Sequence, residues 1–368
     1  VANPYKRFFG GLAGILLIGL LYLVSNRIFP GSFKLLRLFL IAGIMFVVMI
    51  FFRRYVVREK NFPPIIRNVF TSVIVIFLMF MICESAFLFV ARTHQFMPAF
   101  ANLTWYRRFD RPVNSQGFRD SEHDSADTTR KKIFFIGDSF VAGSGIENNE
   151  DRFQEICGKK LGEKFEIFTL ALGGAETKRE FTFLENAGQK PGLIVLSWHP
   201  NDILGAGNEH GLGFEFTWNY DDLNPVSAFV ITHSYSLEYL YWSFPHGDFS
   251  DYQIHLENLY NNPEILQQHL KDLQKFIGYA DENQSGLMVM IWPTLGESKN
   301  SSKMTEPVIR FFQQKGIPVL DLHTYFPDHE FGRYVQNVND AHPNETSHKI
   351  AGNALNLFIR ENINLRSE

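Results

Sequence analysis

The chain has 368 residues, a formal net charge of −4, 45% hydrophobic residues and two cysteines. That length holds one large domain or two ordinary ones, and the slight acidity excludes the broad basic field with which nucleic-acid-binding proteins gather phosphates. Cys83 lies in an apolar segment and Cys157 in the polar part, so no disulfide joins them on this reading, and no Cys/His spacing suits a zinc site.

Residues 1–92 read as a membrane domain. Phe9–Phe29, Phe33–Phe52 and Val69–Ala91 are apolar, and each is near the roughly 20 residues a helix needs to cross a bilayer. The first lacks a small-residue cleavage site after a short apolar core and is followed by two more, which argues against a removable signal peptide. Lys6, Arg7, Arg53, Arg54, Arg58, Lys60 and Arg67 would share one side, against Arg27, Lys34, Arg37 and Arg92 on the other. The bias places the first group in the cytoplasm and everything after Arg92 outside, as a multi-pass protein of a bacterial inner membrane. Glu84 falls within the third span, where a carboxylate is costly. It would meet another membrane protein or a lipid headgroup, or lie near the outer interface.

Residues 93–131 form a lead-in that contains the turn-rich "NSQGFRD", Asn114–Asp120, and an acidic, Ser/Thr-rich loop, Ser121–Thr129. From 132 to 368 apolar runs alternate with amphipathic stretches. Predicted strands are Lys132–Ile136, Phe165–Leu170, Leu193–Trp198, Gly286–Trp292 and Ile317–Leu322. Predicted helices are Arg152–Leu161, Lys178–Gln189, Pro263–Asp281, Glu306–Lys315 and Ser347–Asn362. Such alternation implies an α/β domain with a parallel sheet covered on both faces, its ligands at the carboxyl ends of the strands. Residues 204–262, rich in aromatics, Gly and His, break the alternation. They read as an insertion that shapes a cleft or rests on the membrane, or as a long loop packed on itself with a helix of its own.

Four short blocks stand at the ends of these strands. "IFFIGDSFVAG" stops an apolar run at Ser139, where a hydroxyl and its own N–H emerge together, as a nucleophile and oxyanion donor need. "LALGGAET" offers backbone N–H groups at glycine, with Gly174 the first choice for an oxyanion donor and Gly173 the reserve. "LIVLSWHPNDI" brings the amide of Asn201 to a strand end, with Asp202 bracing the loop and His199 reading as structural. "NDAHPNETSHKIAGNAL" sets His342 in a turn before a helix, as a general base, with Asp340 two residues earlier to hold its tautomer. His348 reads as a packing or capping residue.

Together these blocks resemble the SGNH/GDSL hydrolase superfamily: "GDSF" as its nucleophile block, "GG" its glycine block, "PND" its asparagine block and "DAHPN" its histidine block, over roughly Asn114 to Ile359. The lead-in "NSQGFRD" resembles what precedes the nucleophile in many membrane-anchored bacterial members. The resemblance implies a three-layer, flavodoxin-like α/β/α domain after three transmembrane helices. It also implies attack of Ser139 on an ester carbonyl, an acyl-enzyme, and transfer to water or another hydroxyl, with no metal or organic cofactor. The oxyanion would rest on the N–H groups of Ser139 and Gly174 and the amide of Asn201. Two departures stand out. Asn339, not an acid, lies three residues before His342, and the two-residue spacing of Asp340 resembles the glycan O-acetylation branch. Thr169 stands where the glycine block often begins with Asn. The partners implied are an acylated glycan or lipid, the bilayer and a further membrane protein; the rival is a silent subunit of a membrane assembly.

Overall fold

Apolar runs of five to seven residues, each followed by an amphipathic stretch, can bury both faces of a strand only in the middle of a layered domain, and that is where they lie. The computed structural model describes residues 43, 63–87, 89–94, 99–111, 113–124, 129–214, 220, 223–244, 250–295, 301–326 and 332–362. The chain divides into two units, Val1–Val90 with Val230–Leu237, and Ala91–Phe229 with Glu238–Glu368.

In the first unit the expected spans at 9–29 and 33–52 lie outside the described residues, apart from Gly43. The third is represented by a helix, α1, Pro64–Phe87. Its side chains at Ile65, Val69, Val73, Ile76, Met79 and Ile82 are exposed. Taken over the described residues alone, no helix is long and apolar enough to cross a membrane. Glu84 is buried and finds its partners within the chain. It accepts hydrogen bonds from the Ser234 hydroxyl (2.7 Å), the backbone N–H of Tyr235 (2.8 Å) and Ser236 (3.0 Å), and the Ser236 hydroxyl.

The second unit begins with α2, Phe100–Trp105, which runs into a π-helical turn, Tyr106–Asp110. Then follow β1 (Lys131–Gly137), α3 (Ser139–Ala142), α4 (Phe153–Leu161), β2 (Phe165–Ala171), α5 (Thr177–Glu185) and β3 (Leu193–Trp198). After a 3₁₀ turn, Pro200–Ile203, the insertion supplies α6 (Leu204–Glu209), α7 (Pro225–Thr232), α8 (Tyr235–Tyr241) and α9 (Ser250–Asn261), of which the end of α7 and the start of α8 fall in the first unit. The chain ends with α10 (Pro263–Asn283), β4 (Gly286–Ile291), α11 (Ser301–Gln314), β5 (Val319–Asp321), β6 (Val335–Asn337), β7 (Asp340–Pro343) and α12 (Glu345–Asn362).

Strands β1 to β5 form a parallel sheet in the order β2-β1-β3-β4-β5, with Ile136 opposite both Leu170 and Leu196. This is the flavodoxin-like order, whose switch point lies between β1 and β3. Alternate residues build two cores. Phe134, Ile136, Ile194 and Leu196 pack with Leu256, Phe276 and Phe312, while Ile133, Phe135, Val195 and Met290 pack with Phe153, Leu355 and Ile359. The sheet is therefore the middle of three layers.

The hairpin β6–β7 is antiparallel and was not predicted. His342, expected in a turn, lies on β7. A strand of four residues containing Asp, His and Pro carries no alternation from which to read it. The insertion is helical rather than a loop with one helix, and α9 gives Tyr252, Leu256, Leu259 and Tyr260 to the core.

Candidate active site

The end of β1 presses against β3. A Cβ on Gly137 would come within 2.8 Å of the Ser197 carbonyl and 2.5 Å of Val141 Cγ2, so only glycine lets the chain turn there. Asp138 then caps α3, its Oδ1 accepting the N–H of Phe140 at 2.8 Å. Ser139 becomes the first residue of that short helix, at the switch point.

Asp340 and His342 arrive on β7. Asp340 Oδ1 accepts the backbone N–H of His342 (3.1 Å) and its ring Nδ1–H (2.5 Å), while Nε2 lies 2.8 Å from Ser139 Oγ. A carboxylate can only accept, so Nδ1 carries the ring proton and Nε2 is left to accept the serine proton. Burial alone would raise the Asp340 pKa, but the charge and hydrogen bonds of His342 hold it below the usual carboxylate range. Burial likewise opposes charge on His342, and Asp340 outweighs it, raising the imidazole pKa. The Thr93 hydroxyl approaches Asp340 closely enough to help lower its pKa, although it falls short of a well-formed hydrogen bond.

Asn201 also comes to the site. His199 Nδ1 donates to Asn201 Oδ1 at 2.7 Å, which turns the amide nitrogen towards Asp138 Oδ2 at 3.0 Å. That contact uses one of the two amide hydrogens. His199 is stacked on Phe140, ring centroids 4.3 Å apart. Asp202 Oδ2 accepts the N–H of His199 and closes the turn. A Cβ on Gly173 would lie 3.9 Å from Ser139 Cβ, so the glycine turn lies against Ser139. Gly174 has φ +70° and open space where its Cβ would be; it makes the turn. His348 lies elsewhere, its Nδ1 accepting the N–H of Phe153 at the start of α4, with burial pushing its pKa down to about 3.

The two departures have local structural partners. The Asn339 amide donates to the carbonyls of Trp242 (2.7 Å) and Phe244 (2.8 Å), tying the insertion to the β6–β7 turn. Thr169 receives Gln154 Nε2 on its hydroxyl at 3.3 Å and gives its N–H to Asp120 at 2.7 Å.

Sequence reasoning passed over Arg119. This buried guanidinium donates to the carbonyls of Gly143 (2.9 Å), Ile146 (2.6 Å) and Glu147 (3.0 Å) and lies over the Trp105 ring. It fixes the loop that follows Ser139. Its one signal is an arginine inside a turn block, which resembles an exposed charge until the loop is folded onto it. Among the described residues no group of three or more His, Cys, Asp or Glu side chains could hold a metal ion.

No family model and no curated protein matches the chain. Solved structures do. A member of the lipolytic protein G-D-S-L family from Veillonella parvula is 16% identical with a TM-score of 0.39, over 63% of this chain and 100% of that one. A carbohydrate acetylesterase family member from Sinorhizobium meliloti is 12% identical, TM-score 0.38, over 63% and 98%. The aryl esterase of M. smegmatis is 12% identical, TM-score 0.39, over 63% and 100%. The solved structures to which this chain is similar thus include lipolytic proteins of the G-D-S-L family and esterases.

Proposed function

We propose that the chain is a membrane-anchored serine acyl-ester enzyme of the SGNH/GDSL kind, acting outside the cytoplasm on an acylated glycan or lipid. One observation carries the catalytic part: Ser139, His342 and Asp340, 203 residues apart at the extremes, form a continuous hydrogen-bonded relay with the proton in the right place. Ser139 Oγ attacks the ester carbonyl as its proton passes to His342 Nε2. Asp340 steadies the imidazolium. The N–H groups of Ser139 and of the glycine turn, with the Asn201 amide, receive the oxyanion. His342 then protonates the leaving alcohol, and water or a glycan hydroxyl takes the acyl group by the reverse path.

The anchor is supported by the three apolar segments and by the exposed aliphatic side chains along α1. The acid spacing and the anchor favour a glycan as substrate, and a transferase would draw its acyl group from a partner membrane protein.

Ser139→Ala should lower turnover of an activated acetyl ester by on the order of 10⁴-fold or more, with an unchanged melting curve. Wild-type turnover in a contaminant-free sample of that variant would end the assignment. Following a labelled acetyl group into glycan or into free acetate separates transfer from hydrolysis.

A further inference from the structure

A second Asp-x-His turn lies at the carboxyl end of β5. Asp321 Oδ1 accepts the backbone N–H of His323 (3.0 Å) and is 2.6 Å from its ring Nδ1. On the other side of the ring, Nε2 lies 3.1 Å from the hydroxyl of Ser301, the first residue of α11. That hydroxyl oxygen already accepts the Thr294 N–H at 2.8 Å. Its own proton is therefore left for Nε2, and the ring proton sits on Nδ1 against Asp321. The proton arrangement is that of Ser139, His342 and Asp340.

We infer that Ser301, His323 and Asp321 form a second nucleophilic site, which accepts acyl or phosphonyl groups from small activated esters independently of Ser139. Ser301 follows β4 and Asp321 ends β5, whereas Ser139 follows β1; with β3 between β1 and β4, at about 4.8 Å per strand spacing, the two sites are separate. Ser301 opens the described part of α11, whose dipole turns its positive end to this side, where a developing oxyanion is stabilised. The Asp321 carboxylate is held below its ordinary range: burial acts upward, and the hydrogen bonds and charge of His323 outweigh it. Solvent reaches the second dyad more freely than the first, the imidazole side chains being 23% and 12% exposed. Ser301 itself is fully buried where Ser139 is 7% exposed, so the second site reacts only after local opening and is the slower one.

In the step, the Oγ–carbon bond forms while the Ser301 proton moves to His323 Nε2. The bond from carbon to the leaving oxygen then breaks, and that oxygen takes the proton. An ester of Ser301 is left, which water cleaves by the same base.

The test uses the full chain in membranes, a fluorophosphonate probe and peptide mapping. The Ser139→Ala protein should still be labelled, more slowly than wild type, on the peptide that holds Ser301. Ser139→Ala/Ser301→Ala should be blank. Ser139→Ala/His323→Gln, which keeps an amide in place of the imidazole but offers no base, should label on the order of 100-fold more slowly with an unchanged melting curve. The inference is overturned by a folded Ser139→Ala protein that takes no label, by label elsewhere than Ser301, or by His323→Gln labelling as fast as its parent. Label on Ser139 in the wild type reads the first site separately, so the two assignments stand or fall apart.

Discussion

Asp340 and Asp321 each sit two residues before a histidine, and each accepts both its backbone N–H and its ring N–H. Their settings differ. The Asp340 side chain is fully covered and that of Asp321 is 38% exposed. Beside the first stand Asn201, the glycine turn and an arginine-braced loop; beside the second stand a helix start and the Thr294 N–H. The difference teaches that a local turn is enough to assemble an acid–imidazole pair, whereas the fold decides what surrounds the nucleophile.

Removing the covered acid is the strongest way to break the comparison. Asp340→Asn should lower kcat by on the order of 10³–10⁴-fold, since Nδ1 loses the acceptor that fixes the tautomer. Asp340 raises the His342 pKa, and the base works when neutral, so the acidic limb of the pH–rate profile should move to lower pH in the variant. The same change at Asp321 should cost far less of the total turnover, because it acts at the slower site. Equal losses in steady-state assays would mean that the settings do not matter.

Asn201→Ala comes next, with a loss of roughly 10²–10³ in kcat if its amide meets the oxyanion. A change confined to KM would assign it to substrate binding instead.

Arg119→Met sharpens the contrast from behind the site. Leaving the carbonyls of residues 143, 146 and 147 without their donor should destabilise the domain by about 3 kcal/mol, a fall of roughly 6–12 °C in Tm for a domain of this size. A melting curve like the wild type's would show that the loop stands without it.

The smallest effect concerns His123, which bridges Asp120 and Glu166 at 2.9 Å each and stacks on Phe168 at 3.7 Å between ring centroids. Burial opposes its charge, but the two carboxylates outweigh burial and raise its pKa. A raised folded pKa gives stability that is complete below the unfolded value near 6.5 and is lost as pH rises through the folded one. His123→Asn should therefore lower Tm more at pH 6 than at pH 9, by about 2–4 °C. An equal loss at both pH values would remove the imidazolium from the account.

Much of the sheet was legible. Leu193–Trp198 has the predicted bounds, β2 and β4 differ from prediction by one residue at one end and β1 by one residue at each end, because strands buried on both faces are unbroken apolar runs. Helix α11 was less legible. It begins at Ser301 rather than Glu306 and carries Pro307 in its first turns, and a proline there looks like a boundary until the helix is seen to start before it. The β6–β7 hairpin was illegible, since its residues are chosen for the imidazole and its acid rather than for a pleated surface. Arg119 was illegible for a related reason: a buried cation is satisfied by carbonyls that only the folded loop gathers. The second Asp-x-His turn was visible as letters, but a serine 22 residues away gives no sign that it belongs to it.

By itself the sequence determined the alternation of strand and helix, the apolar N-terminal segments and the types of residue that meet at Ser139, because periodicity and turn chemistry act between near neighbours. The tertiary structure decided the strand order, the approach of the glycine turn to Ser139, which way the Asn201 amide faces and which of two similar turns received the fuller set of donors. Those choices depend on contacts between residues tens to hundreds of positions apart, where close packing and the need to pair every buried polar group select one arrangement among many.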